Sequence, residues 1–129
     1  GPHMAIHLYT DLLVHSLSSA GPERQLLIQT SDSGKEIQIS SIVWYEFTRG
    51  PRTPEQISVA RQFFTDDGII PFSEELAGIA ADVFRSLGSP RKRAADIAIG
   101  VTAVSMDATL LTHNKRDFAG IPELKLEVA

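Results

Sequence analysis

Two carboxylates in this sequence, Glu46 and Asp96, stand among residues that would ordinarily exclude them, and a third, Asp117, follows an apolar strand; chemistry is most readily sought at these three. Glu46 lies in Ile42-Val43-Trp44-Tyr45-Glu46-Phe47, and helical spacing puts it on the face of Ile42 and Val43. An ionised carboxylate there costs several kcal/mol or more unless it is paired or binds a metal. An ion pair with Arg49, one turn on, would account for it equally well. Asp96 carries more weight, because from Ala94 to Val104 the only polar side chains are Asp96 and Thr102, which predicts a helix buried on most sides. A first-turn carboxylate complements the helix dipole, but that explains the position and not the apolar surroundings. Asp96 shares its face with Ile99, Gly100 and Ala103, whose small members leave room for a close approach. Asp117 follows an apolar strand in Thr112-His113-Asn114-Lys115-Arg116-Asp117-Phe118, where an Asp also serves as a plain turn former. Asp11, in Leu8-Tyr9-Thr10-Asp11-Leu12, ends another strand, and Thr10-Asp11 doubles as a helix start.

These groups act together only if strands and helices alternate. Ala5–Tyr9 is a short apolar run suited to a buried first strand. Helices are predicted over Thr10–Leu17 and Glu23–Ser31, Pro22 beginning the second, followed by a strand over Glu36–Ile39. Ser40 or Ser41 can cap a helix to about Arg49, which Gly50-Pro51 ends. Thr53-Pro54-Glu55 opens a helix that Asp67-Gly68 closes. Ile69–Phe72 is a strand, Ser73–Leu87 a long amphipathic helix stopped by Gly88 and Pro90, and Ala94–Met106 a helix. Strands over Thr109–Thr112 and Leu124–Val128 complete the chain. The alternation predicts an α/β domain with a mostly parallel sheet, whose ligands gather at the carboxyl ends of the strands.

Composition narrows the classes. At 129 residues with 43% hydrophobic content the chain suits one globular domain with a sizeable core and is neither disordered nor fibrous. The absence of cysteine excludes disulfides, zinc fingers and thiol chemistry. No apolar stretch approaches the ~20 residues of a membrane span, no secretory signal is present, and a net charge of −4 gives no global pull toward nucleic acid or anionic lipid. A cytoplasmic domain is the expectation. Gly1-Pro2-His3 ahead of Met4 reads as a tag remnant, leaving residues 4–129 as the domain.

In this order, the stretches Ile6–Val14, Ser40–Gly50, Ala95–Ala103 and Leu110–Phe118 resemble the PIN-domain nucleases, and specifically the VapC-type toxins of toxin-antitoxin pairs. Asp96-Ile97-Ala98-Ile99-Gly100 and Leu111-Thr112-His113-Asn114-Lys115-Arg116-Asp117-Phe118 are the most specific parts, and the resemblance covers nearly the whole chain from Met4. It implies a three-layer α/β/α domain with the first strand at the centre of the sheet. It also implies endoribonuclease activity in which Glu46, Asp96 and Asp117 bind Mg²⁺ or Mn²⁺, with Thr112 and Asn114 as polar neighbours. Oxygen-only ligation suits those ions, and the metal would activate water and neutralise charge on the phosphate. Homodimers and a cognate antitoxin, whose tail lies across the groove, are implied with it.

One position departs from the pattern. The family carries Asp-Thr-Asn or Asp-Thr-Asp where this chain has Tyr9-Thr10-Asp11, so a phenol with an ordinary pKa of about 10 replaces the first carboxylate. An engineered change, a selected loss of toxicity and natural variation would each put Tyr9 there. Asp11 could substitute in part, but it stands two residues along and points differently. The chain is expected to be inactive or severely weakened.

Arg91-Lys92-Arg93 and Lys115-Arg116 flank the acidic segments and could hold RNA phosphates, although such runs are usually solvated loops. Trp44 and Tyr45 suit packing or a dimer face. His7, His15 and His113 show no spacing suggestive of zinc; His113 could contact a phosphate. Two rival readings are a non-catalytic PIN-like interaction domain and a phosphoacceptor receiver domain, for which only Asp11 and Lys115 are even approximately placed.

Overall fold

The computed structural model describes residues 5–18 and 21–129; the expected tag remnant lies outside them. Five strands, β1 (Ala5–Leu8), β2 (Glu36–Ser40), β3 (Ile69–Ile70), β4 (Ala108–Thr112) and β5 (Lys125–Val128), form one wholly parallel sheet in the order β3-β2-β1-β4-β5. All four residues of β1 are buried, as a central strand covered on both faces requires. In the edge strand β5, Lys125, Glu127 and Val128 are exposed, and the charges discourage pairing with another chain.

Among the described residues six α-helices complete the fold: α1 (Thr10–His15), α2 (Pro22–Asp32), α3 (Ser41–Thr48), α4 (Pro54–Arg61), α5 (Glu74–Ser86) and α6 (Ala94–Ser105). The chain runs outward from β1 through β2 to β3, then returns to β4 on the other side of β1. Right-handed crossovers put the helices of the two halves on opposite faces, and the reversal makes a switch point between β1 and β4. Because every strand points the same way, Tyr9, Ser41 and His113 all emerge at one end of the sheet.

Local chemistry sets the boundaries. Ser40 is the cap of α3, its Oγ accepting the Ile42 N–H at 3.1 Å, while Ser41 Oγ accepts the Phe72 N–H at 3.0 Å. Thr53 and Gln56 form a reciprocal capping box on α4. That helix ends at Arg61, short of the expected Asp67-Gly68, because the Arg61 guanidinium takes the carbonyls of Phe64, Thr65 and Asp66 and so holds a turn. Strand β3 stops at Ile70 because Pro71 has no N–H for the ladder. Helix α1 stops at His15, where the Ser16 hydroxyl donates to the Leu13 carbonyl.

Helix α6 is the internal spine, with Ile97 to Ala103 all buried. A Cβ at Gly100 would stand 2.7 Å from Ile121 Cδ1 and 3.3 Å from Leu124 Cδ2, so the expected close approach is made by the segment leading into β5.

His7 is the buried polar group of the central strand, 1% exposed. It faces Gln38, its register partner on β2, with Nε2 2.8 Å from Oε1. Its Nδ1 has no partner among the described residues, which fits a neutral ring donating through Nε2. Burial pushes its pKa down to about 4, against a smaller upward pull from Gln38. Between about pH 6.5 and pH 4 the unfolded chain therefore binds a proton that the folded chain refuses. The stability is fully present above pH 6.5 and is lost as pH falls through that window, by roughly 3 kcal/mol. Urea unfolding of the parent and His7→Gln from pH 7 to pH 4 should show a shallower loss in the variant; equal losses would refute the assignment.

Candidate active site

The acidic cluster is assembled from four segments at the carboxyl end of the sheet. Tyr9 directly follows β1, Glu46 lies in the last turns of α3, Asp96 in the first turn of α6, and Asp117 in a 3₁₀ turn (Lys115–Phe118) after β4. All four are half-buried. The Tyr9 hydroxyl donates to Asp96 Oδ1 at 2.6 Å. Its ring meets buried Phe118 edge-on, with centroids 5.0 Å apart at 86°. The phenol is thus held between a carboxylate and a core aromatic.

Each carboxylate has a donor from this chain. Thr10 Oγ1 donates to Glu46 Oε1 at 2.6 Å. No Glu46–Arg49 ion pair forms among the described residues; the Arg49 guanidinium lies over the Tyr45 ring, 5.1 Å from its centroid. Asn114 Nδ2 donates to Asp117 Oδ2 at 3.1 Å. The Asn114 N–H donates to Thr112 Oγ1 at 3.1 Å, and its Oδ1 accepts the Arg116 N–H at 3.3 Å. Thr112 and Asn114 therefore shape the turn that presents Asp117.

The electrostatics follow. Burial first, then the hydrogen bond and charge of Asp96, and then Glu46 and Asp117, drive the Tyr9 pKa far above that of a free phenol. The hydroxyl is neutral and serves as a donor. Burial, with the charges of Asp117 and Glu46, raises the Asp96 pKa, while the Tyr9 hydrogen bond and Arg93 pull it down. Three like charges converge here, and one neutral hydroxyl is fixed among them.

Other sequence candidates lie at the margin. Asp11 accepts the Leu12 N–H at 2.7 Å through Oδ1 and the His113 N–H at 3.1 Å through Oδ2. It ties the first turn of α1 to the loop after β4, and with both oxygens so engaged it does not stand in for a carboxylate at Tyr9. Arg93 Nε donates to the Asp117 carbonyl at 3.2 Å and Nη2 to the Ala119 carbonyl, clamping the 3₁₀ turn against α6. Arg91, Lys92, Lys115 and Arg116 are exposed around the cluster. Sequence reasoning missed that His15 and His113, 98 positions apart, have ring nitrogens 3.3 Å apart; no linear spacing could signal it.

As it stands, the acidic set does not fit a resident divalent cation. The Tyr9 hydroxyl keeps its proton and occupies Asp96 Oδ1, and the ligand oxygens of Glu46, Asp96 and Asp117 do not all fall within 4.8 Å of one another. Among the described residues the set of three or more His, Asp or Glu side chains whose ligand atoms all fall within 4.8 Å of one another is His15, Glu23 and His113, beside this cluster.

A parallel sheet ordered 3-2-1-4-5 with acidic residues gathered at its switch point defines a class of α/β domain. The chain belongs to the PIN-domain family, whose model matches residues 12–124. It is 30% identical over 118 residues to the ribonuclease VapC19 of Mycobacterium tuberculosis, covering 90% of this chain and 94% of that protein. A toxin-antitoxin complex from Klebsiella pneumoniae contains a chain 25% identical, with a TM-score of 0.69 and 92% and 94% of the two chains covered. VapBC2 from Rickettsia felis, solved with a promoter DNA fragment, shares the fold at 22% identity, with a TM-score of 0.75 and 98% and 99% coverage. Nucleases of this family are in general metal-dependent. No described helix is long and apolar enough to cross a membrane.

The Tyr9–Asp96 hydrogen bond has a direct test. Tyr9→Phe removes the interaction that pulls the Asp96 pKa down and leaves the raising influences in place, so Asp96 should titrate higher than in the parent. Carboxyl-detected NMR titration of both proteins measures this; an unchanged or lower value would show that the bond is not formed in solution.

Proposed function

We propose that this chain is a VapC-type ribonuclease toxin, partnered by an antitoxin, whose cation site is closed by Tyr9. The observation that carries the reading is the neutral Tyr9 hydroxyl seated on Asp96 at 2.6 Å, with Glu46 and Asp117 bearing on it. Asp96, Glu46 and Asp117 are the ligands that Mg²⁺ or Mn²⁺ would use once the phenol is replaced by a carboxylate. Thr10, Thr112 and Asn114 orient that set. Exposed Arg91, Lys92, Lys115 and Arg116 supply contacts for RNA phosphates, which hold a strand in place without reading its sequence. Arg93 acts through the turn it clamps. The ribonuclease relative, at 30% identity along nearly the whole of both chains, supports RNA as the substrate. In the present form the chain is inactive or severely weakened.

Restoring the carboxylate tests this. Tyr9→Asp should cleave RNA in Mn²⁺ and gain thermal stability from Mn²⁺, while the parent and the Tyr9→Asp, Asp96→Asn double variant do neither. A Tyr9→Asp protein silent on transfer, ribosomal and messenger RNA and unmoved by Mn²⁺ would overturn the nuclease reading and leave a PIN-like binding domain.

The antitoxin partnership is separable from catalysis. The structural neighbours include a VapBC complex and a toxin-antitoxin complex, and an acidic cluster attracts a basic segment whether or not it holds a metal. The parent should bind the cognate antitoxin by calorimetry, as a homodimer by light scattering, and the affinity should fall as salt rises. No association at low salt would refute the partnership.

A further inference from the structure

A second cluster of ligating side chains lies beside the acidic one and plays no part in the reading above. His15 ends α1, Glu23 stands in the first turn of α2 just after Pro22, and His113 directly follows β4. Their ligand atoms form a nearly regular triangle. His15 Nδ1 lies 3.3 Å from His113 Nε2, and each nitrogen lies 3.6 Å from Glu23 Oε1.

From this geometry we infer a transition-metal site with two imidazole ligands and one carboxylate, suited to Zn²⁺. Tetrahedral zinc with Zn–N and Zn–O bonds of about 2.0–2.2 Å places its ligand atoms about 3.3–3.6 Å apart. Octahedral ligation at about 2.1 Å would bring neighbouring ligands to about 3.0 Å. The observed triangle matches the tetrahedral edge. The ring centroids agree: two imidazoles bound head-on to one tetrahedral ion have centroids about 5.2 Å apart, and here they are 5.2 Å apart. Neutral imidazole nitrogens favour zinc and its neighbours over the hard cations that carboxylates alone select.

The surroundings suit an ion with an open position. Glu23 is the most buried ligand, its side chain 17% exposed against 56% for His15 and 32% for His113, so one side of the triangle faces solvent. A cleft of about 320 Å³ lined by Pro22, Glu23, Leu26, His113 and Ala129 opens beside it, with room for water or a small anion as fourth ligand. The ligands are also held from behind: the His113 N–H is fixed on Asp11 Oδ2, and Pro22 sets the start of α2. Bound zinc would link α1 and α2 to the loop that presents Thr112, Asn114 and Asp117.

The test uses the full chain carrying His3→Ala, so that the N-terminal imidazole cannot compete, after treatment with a chelator. Calorimetry with ZnCl₂ should give one equivalent bound, and the unfolding temperature should rise by roughly 5 °C or more at a hundredfold excess over Kd. Co²⁺ in place of Zn²⁺ should give the intense visible absorption of a four-coordinate centre. His15→Ala and His113→Ala should each abolish these signals, and Glu23→Gln should weaken binding at least tenfold. Asp117→Asn should leave all of them intact, and Mg²⁺ should not compete. The inference is overturned if Zn²⁺ produces no shift, or if the shift survives both histidine variants. Loss of the signal in Asp117→Asn would assign the ion to the acidic cluster and overturn it equally. If zinc does not bind, the His15–His113 contact is a hydrogen bond between a donor and an acceptor ring.

Discussion

Like charges brought to one point of a parallel sheet must be compensated, and in this protein the compensation is a hydrogen bond from a neutral phenol. Glu46, Asp96 and Asp117 come from separate elements, and folding converges them whatever their mutual repulsion. Tyr9 meets Asp96 with a donor at 2.6 Å, Thr10 does the same for Glu46, and Asn114 for Asp117. Burial and the surrounding charges keep the phenol protonated. The hydrogen bonds from Thr10 and Asn114 engage one oxygen each of Glu46 and Asp117, whereas the Tyr9 phenol stands on Asp96 itself, where its bulk and its retained proton take the place of a carboxylate. The side chain at the end of β1 therefore sets how Asp96 is satisfied.

That convergence depends on the packing behind it. Asp96 is placed by a helix with little freedom to move, since seven consecutive residues of α6 are buried and Gly100 lets Ile121 approach within a distance that a Cβ would forbid. Asp117 is placed by a single turn, and two interactions lock that turn. The Arg93 guanidinium grips its carbonyls, and Phe118 enters the core as the edge partner of Tyr9. Phe118 thus anchors the turn and fixes the phenol at once. The switch point between β1 and β4 leaves the space into which these groups project.

The histidine cluster arises from the same topology. Asp11 ties the first turn of α1 to the loop after β4, and α1 and α2 are packed against each other. His15 and His113 are brought together by that tie and not by their places in the sequence. Two clusters of different chemistry, one all oxygen and one mostly nitrogen, thus draw on the same loop after β4, through Asp117 and His113.

Much of this was legible in the residues. The apolar run of β1, the capping serine of α3, the Thr53-Pro54 start of α4 and the small-residue face of α6 are local signals, because capping, proline geometry and helical periodicity act within a few positions. The anomalous burial of Asp96 was legible for the same reason, since its neighbours within one turn are apolar. Helix ends were less so: α4 stops at Arg61 because its guanidinium captures carbonyls further along the chain, and β3 is cut to two residues at Pro71. Contacts across dozens of positions were beyond local pattern, and the fold alone decided them. The partner of Glu46 is Thr10 and not Arg49; Asp11 is held by backbone amides; Tyr9 reaches Asp96, 87 residues away; and two histidines without a recognisable spacing meet at 3.3 Å. Sequence determines which side chains can do chemistry and which elements carry them, because those are short-range properties. Which oxygens and nitrogens face one another is set by the order and direction of the strands, a long-range property that only the folded chain expresses.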